Sequence, residues 1–131
     1  MMTKSPSGAL SPYYYKGGYF HGIHYGSYFD DAKALFDMME KEEQFILKSP
    51  DRRRIMIDLY ETNITQEVLE KLMQHIENLK PRIIKLAFAA NKTNLRSIRK
   101  AIKKEKALQT VCCYFSTDME EGKTWLVSDG V

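Results

Sequence analysis

Cysteine is scarce in this chain: two residues in 131, Cys112 and Cys113, adjacent and so unable to staple distant segments together. A disulfide-held mini-protein is excluded, and the pair fits a reducing compartment. Long hydrophobic runs are missing as well. No stretch of about 18 or more apolar residues exists to span a bilayer, and the N-terminus lacks the basic-then-apolar leader of an exported chain, so a cytoplasmic, bacterial-type location is expected. Charge of one sign is also in short supply. Lys and Arg number 20 against 17 Asp and Glu, and the balance of +3 is too small to point to nucleic acid. Histidines are few, and His21, His24 and His75 show no metal-ligand spacing: the first two sit three apart on an expected strand and face opposite ways, while His75 belongs to a distant helix. No metal or cofactor is expected.

What is present has the balance of one ordinary globular domain, 44% apolar and 28% charged residues in 15.3 kDa. A chain of this size buries roughly 68–70% of the surface its unfolded form would expose, enough for one core without staples. Residues 1–8 are polar and aperiodic around Pro6, which reads as a disordered tail ahead of a domain spanning 9–131. Tyrosines crowd the next stretch, and Gly17-Gly18 suits a tight turn between strands Ala9–Lys16 and Tyr19–Tyr25, with Gly22 as a bulge or close approach. Ser27 as cap, with Asp30 and Asp31 as first-turn carboxylates, starts a long helix carrying Ala32, Leu35, Phe36, Met39 and Ile46 on one stripe, ending near Ser49-Pro50.

Arg54–Tyr60 follows as an interior strand, with Ile55, Ile57 and Leu59 on one face and Met56 on the other. Asn63 or Thr65 caps a second helix through Val68, Leu69, Leu72, Ile76 and Leu79, stopped by Pro81. Ile83–Ala89 is another buried strand, including Ile84. Asn91 or Thr93 caps a third helix with Leu95, Ile98 and Ile102 inward, and Thr110–Phe115 is the last strand. Thr117 with Glu120 matches a capping box for a final helix that relies on docking Trp125, since Gly122 within it costs roughly 1 kcal/mol relative to alanine. The order β-β-α-β-α-β-α-β-α predicts an α/β domain, a mixed sheet with an antiparallel N-terminal hairpin, parallel strands and about four helices.

This order, with its long first helix, resembles the STAS family, named for sulfate transporters and anti-sigma-factor antagonists, and within it the SpoIIAA-like, STAS/SEC14 branch. The resemblance is carried by the strand Arg54-Ile55-Met56-Ile57-Asp58-Leu59, the loop Tyr60–Thr65 leading into Val68–Leu72, the strand Ile83–Ala89, and the closing segment Phe115–Leu126 with its acidic cap and terminal Trp-Leu. It covers residue 9 to the end of the chain. It implies a non-enzymatic regulatory or scaffolding module that binds a protein partner through the Tyr60–Glu67 loop, with Thr62, Asn63, Thr65, Gln66 and Glu67 as the partner or switch positions. Kinase-switched STAS antagonists carry a phosphorylatable residue at the start of the second helix. Here Ile64-Thr65-Gln66-Glu67 lacks an Asp-Ser-Ser-like triplet, Thr65 reads as a cap and Glu67 would repel a phosphate, so the expected surface is constitutive. The SEC14 side of the branch implies instead a carrier for a lipid or anionic small ligand, held near Met38, Met39 and the tyrosines.

Over residues 92–106 seven basic residues stand against Glu105 alone, giving +6 and leaving −3 for the rest of the chain. Lys92, Arg96, Arg99 and Lys103 recur on one helix face, which with Thr93 reads either as an anion-binding surface or as a solvated face. Asn91–Asn94 reads as a phosphate-receiving helix start or as plain capping. The tyrosine hairpin suits an edge strand or, with one row exposed, a contact with a partner or a second copy. Asp30, Asp31 and Asp58 do not follow the phospho-receiver order, and the last strand offers no lysine. No acid–base pair, nucleophile–base pair or metal cluster stands out, so enzymatic activity is not expected.

Overall fold

The computed structural model describes residues 3–8 and 10–128. The chain opens with a short ribbon in which β1 (Thr3–Lys4) runs antiparallel to β2 (Leu10–Ser11). Past the cis peptide Ser11–Pro12 come β3 (Tyr13–Tyr15) and β4 (Gly18–His24), and then α1 (Ala32–Leu47), β5 (Arg53–Asp58) and α2 (Gln66–Leu79). The second half holds β6 (Ile83–Ala89), α3 (Lys92–Lys104), β7 (Cys113–Ser116) and α4 (Met119–Val127). One sheet orders its strands β3-β4-β5-β6-β7, and within it the β3–β4 hairpin is antiparallel while the remaining pairs are parallel. The fold is therefore the expected α/β domain with a mixed sheet and four helices.

Strand alternation divides the core into two layers. Ile55 and Ile57 face α1, α2 and α3 along with Ile23, Leu86 and Phe88, whereas Met56 joins Phe20, Ala87, Ala89 and Leu126 beneath α4. Strand β5 lies at the centre of the sheet, and Ile55, Ile57, Leu72, Leu86 and Ile98 are fully buried. Residues Leu35, Met39 and Ile46 of α1 and Val68, Leu72, Ile76 and Leu79 of α2 supply the helical stripes. No helix among the described residues is long and apolar enough to cross a membrane.

Several local expectations are corrected. Residues 3–8, expected as tail, form β1 and pack: Ser5 is buried, and Ser7 donates its N–H and hydroxyl to Glu42. Met1, Met2 and Ala9 lie outside the described residues. The hairpin turn falls on Lys16-Gly17, both at positive φ, one residue before the expected site, because Tyr15 pairs with Gly18. Gly22 pairs in regular register opposite Met56. The irregularity lies instead between Arg53 and Arg54, where Ile84 is skipped; it turns outward and is 39% exposed, while Lys85 turns inward. That buried ammonium donates to the carbonyls of Trp125 and Ser128 at 3.0 Å, tying the end of α4 to the sheet. Asp118 rather than Thr117 caps α4, accepting from the Glu120 N–H, and Trp125 is only half-buried, stacked on Tyr114. The last strand starts at Cys113, because residues 106–111 turn through a short 3-10 segment first.

Candidate functional site

In open α/β sheets ligands and partners meet the loops beyond the carboxyl ends of the strands. Here β4 and β5 continue their parallel pairing past their last residues. Tyr25 N–H donates to Asp58 O at 2.9 Å, Ser27 N–H to Tyr60 O at 2.7 Å, Phe29 N–H to Glu61 O at 2.9 Å, and Asn63 N–H to Phe29 O at 2.8 Å. Ser27, Phe29 and Glu61 hold φ values of 64°, 52° and 58°, an uncommon region for residues with side chains. Gly26 permits this approach, since a Cβ there would sit 2.7 Å from the Tyr60 carbonyl and 2.6 Å from Asp58 Oδ1. The zipped loops hold Phe29 out at 60% exposure. Asp30, Asp31 and Glu61 are exposed on the same loops, and Glu67 in the first turn of α2.

The five expected switch positions all lie on or beside this loop pair, in different roles. Thr62 is buried; its hydroxyl donates to Tyr25 O and accepts from Tyr28 N–H, so it stitches the two loops together. Asn63 donates from Nδ2 to Asp30 at 2.8 Å. Thr65 is the N-cap of α2, accepting from Val68 N–H at 3.2 Å, while Gln66 bonds Glu70 and Glu67 is exposed.

Beside the loops runs a groove of about 360 Å³ between β4, β5 and α4, floored by Phe20, Gly22 and Met56 and edged by Tyr13, Met119 and Lys123. His24 and Asp58 close one end, with His24 Nδ1 2.9 Å from both carboxylate oxygens. Burial pushes the Asp58 carboxyl up, against the opposing pull of His24, and the imidazole, half exposed, keeps Nε2 for another group. Such a pair can accept or donate a proton to a ligand. Of the methionines expected near a carrier site, Met39 is fully buried and Met38 packs against the core.

Of two further histidine–carboxylate pairs, one is buried and the other has a buried imidazole and a half-buried carboxylate. His21 Nε2 lies 3.0 Å from Glu42 and its Nδ1 2.5 Å from Ser11 Oγ, on the sheet face opposite His24. His75 joins Glu43 at 3.0 Å and the Tyr25 hydroxyl at 2.7 Å. Sequence reading found none of the three pairs, yet one signal was present. Glu42 falls on the apolar stripe of α1 between Met39 and Ile46, where a carboxylate needs a partner. Among the described residues no group of three or more His, Cys, Asp or Glu is placed to hold a metal ion.

The basic stripe of α3 is brought together as a surface. Lys92, Arg96 and Arg99 border a shallow depression with Phe115, whose ring lies 4.9 Å from the Arg99 guanidinium; Thr93 and Lys103 are exposed beyond it. Asn91 is the α3 cap, accepting from Asn94 N–H at 2.8 Å. Burial pushes the Cys113 thiol up to about 12, which keeps it from acting as a nucleophile. On the hairpin, Tyr14 and Tyr19 form an edge-to-face pair on one face and are both more than half exposed. Comparison with protein-family models, with curated proteins and with solved structures returns no match, so the STAS resemblance rests on the residues that carry it.

Proposed function

We propose that this chain is a STAS-like regulatory or scaffolding module that binds a protein partner constitutively through the paired loops at the carboxyl edge of its sheet. The observation that carries the reading is Phe29: a large apolar side chain held in solvent by a hydrogen-bonded loop pair with three residues at positive φ. Strained backbone of this kind persists where the surroundings enforce it, and it collects at ligand clamps and switch regions. Burying a phenylalanine in a partner's pocket contributes roughly 1.5–3 kcal/mol. The carboxylates of Asp30, Asp31, Glu61 and Glu67 favour a socket rimmed by basic groups. Thr65, occupied as a cap, and Glu67, close behind it, favour a surface that is not switched by phosphate.

Affinity capture from the source cells with quantitative mass spectrometry tests this reading. Phe29→Ala should lower recovery of the bound partner by about tenfold or more while the protein stays folded. Equal recovery from a folded variant would overturn it. Phosphopeptide mapping that finds phosphate on Thr65, with partner binding that changes on its removal, would replace the constitutive surface by a switch. A second reading, a carrier of a small lipid-like or anionic ligand, is favoured by the groove beneath α4, whose apolar floor ends at His24 and Asp58 on one side and Lys123 on the other. Native mass spectrometry of the purified protein would show such a ligand as a discrete added mass.

A further inference from the structure

A cavity of about 510 Å³ lies at the opposite, amino-terminal edge of the parallel strands. Arg52, Arg53 and Arg54 line it in succession, and Pro12, Tyr19 and Phe45 supply apolar and aromatic walls. The three arginines are consecutive in the chain, and strand alternation sends Arg53 and Arg54 to opposite faces of the sheet. Arg54 reaches the α4 side, donating to the Leu126 carbonyl at 2.7 Å, while Arg53 stays on the α1 side. There it donates from Nη1 to Ser11 Oγ at 3.1 Å, and its guanidinium lies 5.9 Å from the Phe45 ring. Ser11 is fixed in turn by His21, and His21 by Glu42.

One atom in this arrangement is not accounted for by the protein. Arg53 Nε is buried and has no hydrogen-bond partner among the described residues. A buried N–H cut off from water is costly and rare in folded proteins, and an ion or ligand is among its ordinary explanations. With Nη1 committed to Ser11, the remaining edge of the guanidinium presents Nε and Nη2, the parallel pair of donors that grips a carboxylate or phosphate by two bonds. The charges facing Arg53 are those of Asp51 and Glu42, which oppose an anion, and that of Arg82, which favours one alongside Arg52 and Arg54. Glu42 is already engaged by His21 and Ser7, which leaves Asp51 as the main opposing charge.

We propose that this cavity binds an organic oxyanion, a carboxylate or phosphate monoester on an aromatic or alkyl body, with the oxyanion gripped by the Nε and Nη2 edge of Arg53 and the body against Tyr19 and Phe45. The site is independent of the partner loops, which lie at the other end of the strands, and of the basic stripe on α3.

The test follows the Arg53 Nε–H signal in nitrogen–proton NMR spectra of the intact protein during titration with phenyl phosphate, with benzoate and with neutral benzamide. A saturable shift of that signal with at least one of the two anions, and none with benzamide, is expected; which anion acts names the class. Replacing Arg96, Arg99 and Lys103 together by glutamine should leave the titration unchanged. Tyr19→Ala, at an exposed position, should weaken binding without unfolding the chain, and Arg53→Lys should weaken it by about tenfold, as measured by calorimetry. An Arg53 signal that moves with neither anion, that moves equally with benzamide, or that is lost with the α3 substitutions overturns the proposal.

Discussion

Glu42 is as buried as the leucine and isoleucine that share its stripe on α1. Burial alone would raise its carboxyl, but hydrogen bonds from His21 and Ser7 hold it below the ordinary carboxylate range. Its folded value being depressed, the stability it contributes is present above the ordinary carboxyl pKa and is lost as pH falls through the lower folded value. Glu42→Gln should therefore cost about 1–3 kcal/mol at pH 7 and progressively less in acid, read from urea denaturation across pH. Asp58 has the opposite sign. Burial raises its carboxyl, so its contribution is present below the ordinary range and is lost as pH rises through the raised value. Asp58→Asn should consequently cost no stability at neutral pH in the same titration. A loss there comparable to that of Glu42→Gln would mean that the His24 contact outweighs the desolvation of the carboxylate.

At the scale of elements, helix stripes and two of the caps were legible because they are local. Thr65 and Asn91 each accept an N–H three residues on, as Thr and Asn do at helix starts, whereas α1 is capped by Asp31 and not by Ser27, which sits in the loop at positive φ with its hydroxyl on Glu61. For α2 this yields paired expectations: Thr65→Ala should cost about 1 kcal/mol through the lost cap, and Leu72→Ala, fully buried, roughly 2–5 kcal/mol, both by chemical denaturation. A Leu72→Ala cost below about 0.5 kcal/mol would be a surface value and would contradict the packing of α2. Less local features were misplaced. Thr117 fits a capping box on paper, but Asp118 occupies the cap one residue later. Ile84 fits a buried strand, but the register shift against β5 turns it out. Gly122 read as a weakness of α4; in the fold it marks where the helix meets Met56, whose Cε would lie 2.6 Å from an added Cβ.

The whole molecule is polarised. Exposed carboxylates gather at the loops around Phe29, while α3 presents a basic face and a second set of arginines lines the amino edge of the sheet. Triple replacement of Arg96, Arg99 and Lys103 by glutamine should change stability by no more than about 0.5 kcal/mol, since all three are exposed. It should at the same time shorten retention on a heparin column, an effect that fades as salt is raised. Retention equal to that of the parent protein would assign the stripe to solvation alone.

Composition and periodicity by themselves determined that this chain forms an α/β domain with a central strand at Ile55–Ile57 and helices buried along the stripes of Leu35, Leu72 and Ile98, because burial repeats with the period of each element. Tertiary structure alone decided which polar groups meet. His21 and Glu42, His24 and Asp58, and His75 and Glu43 are each more than twenty residues apart and pair only once the sheet has set the strand order. The same holds for Arg53, whose contacts are with Ser11 and the Phe45 ring, residues distant in sequence. Contacts between elements depend on register and approach distance, and neither quantity leaves a periodic trace in a single strand or helix.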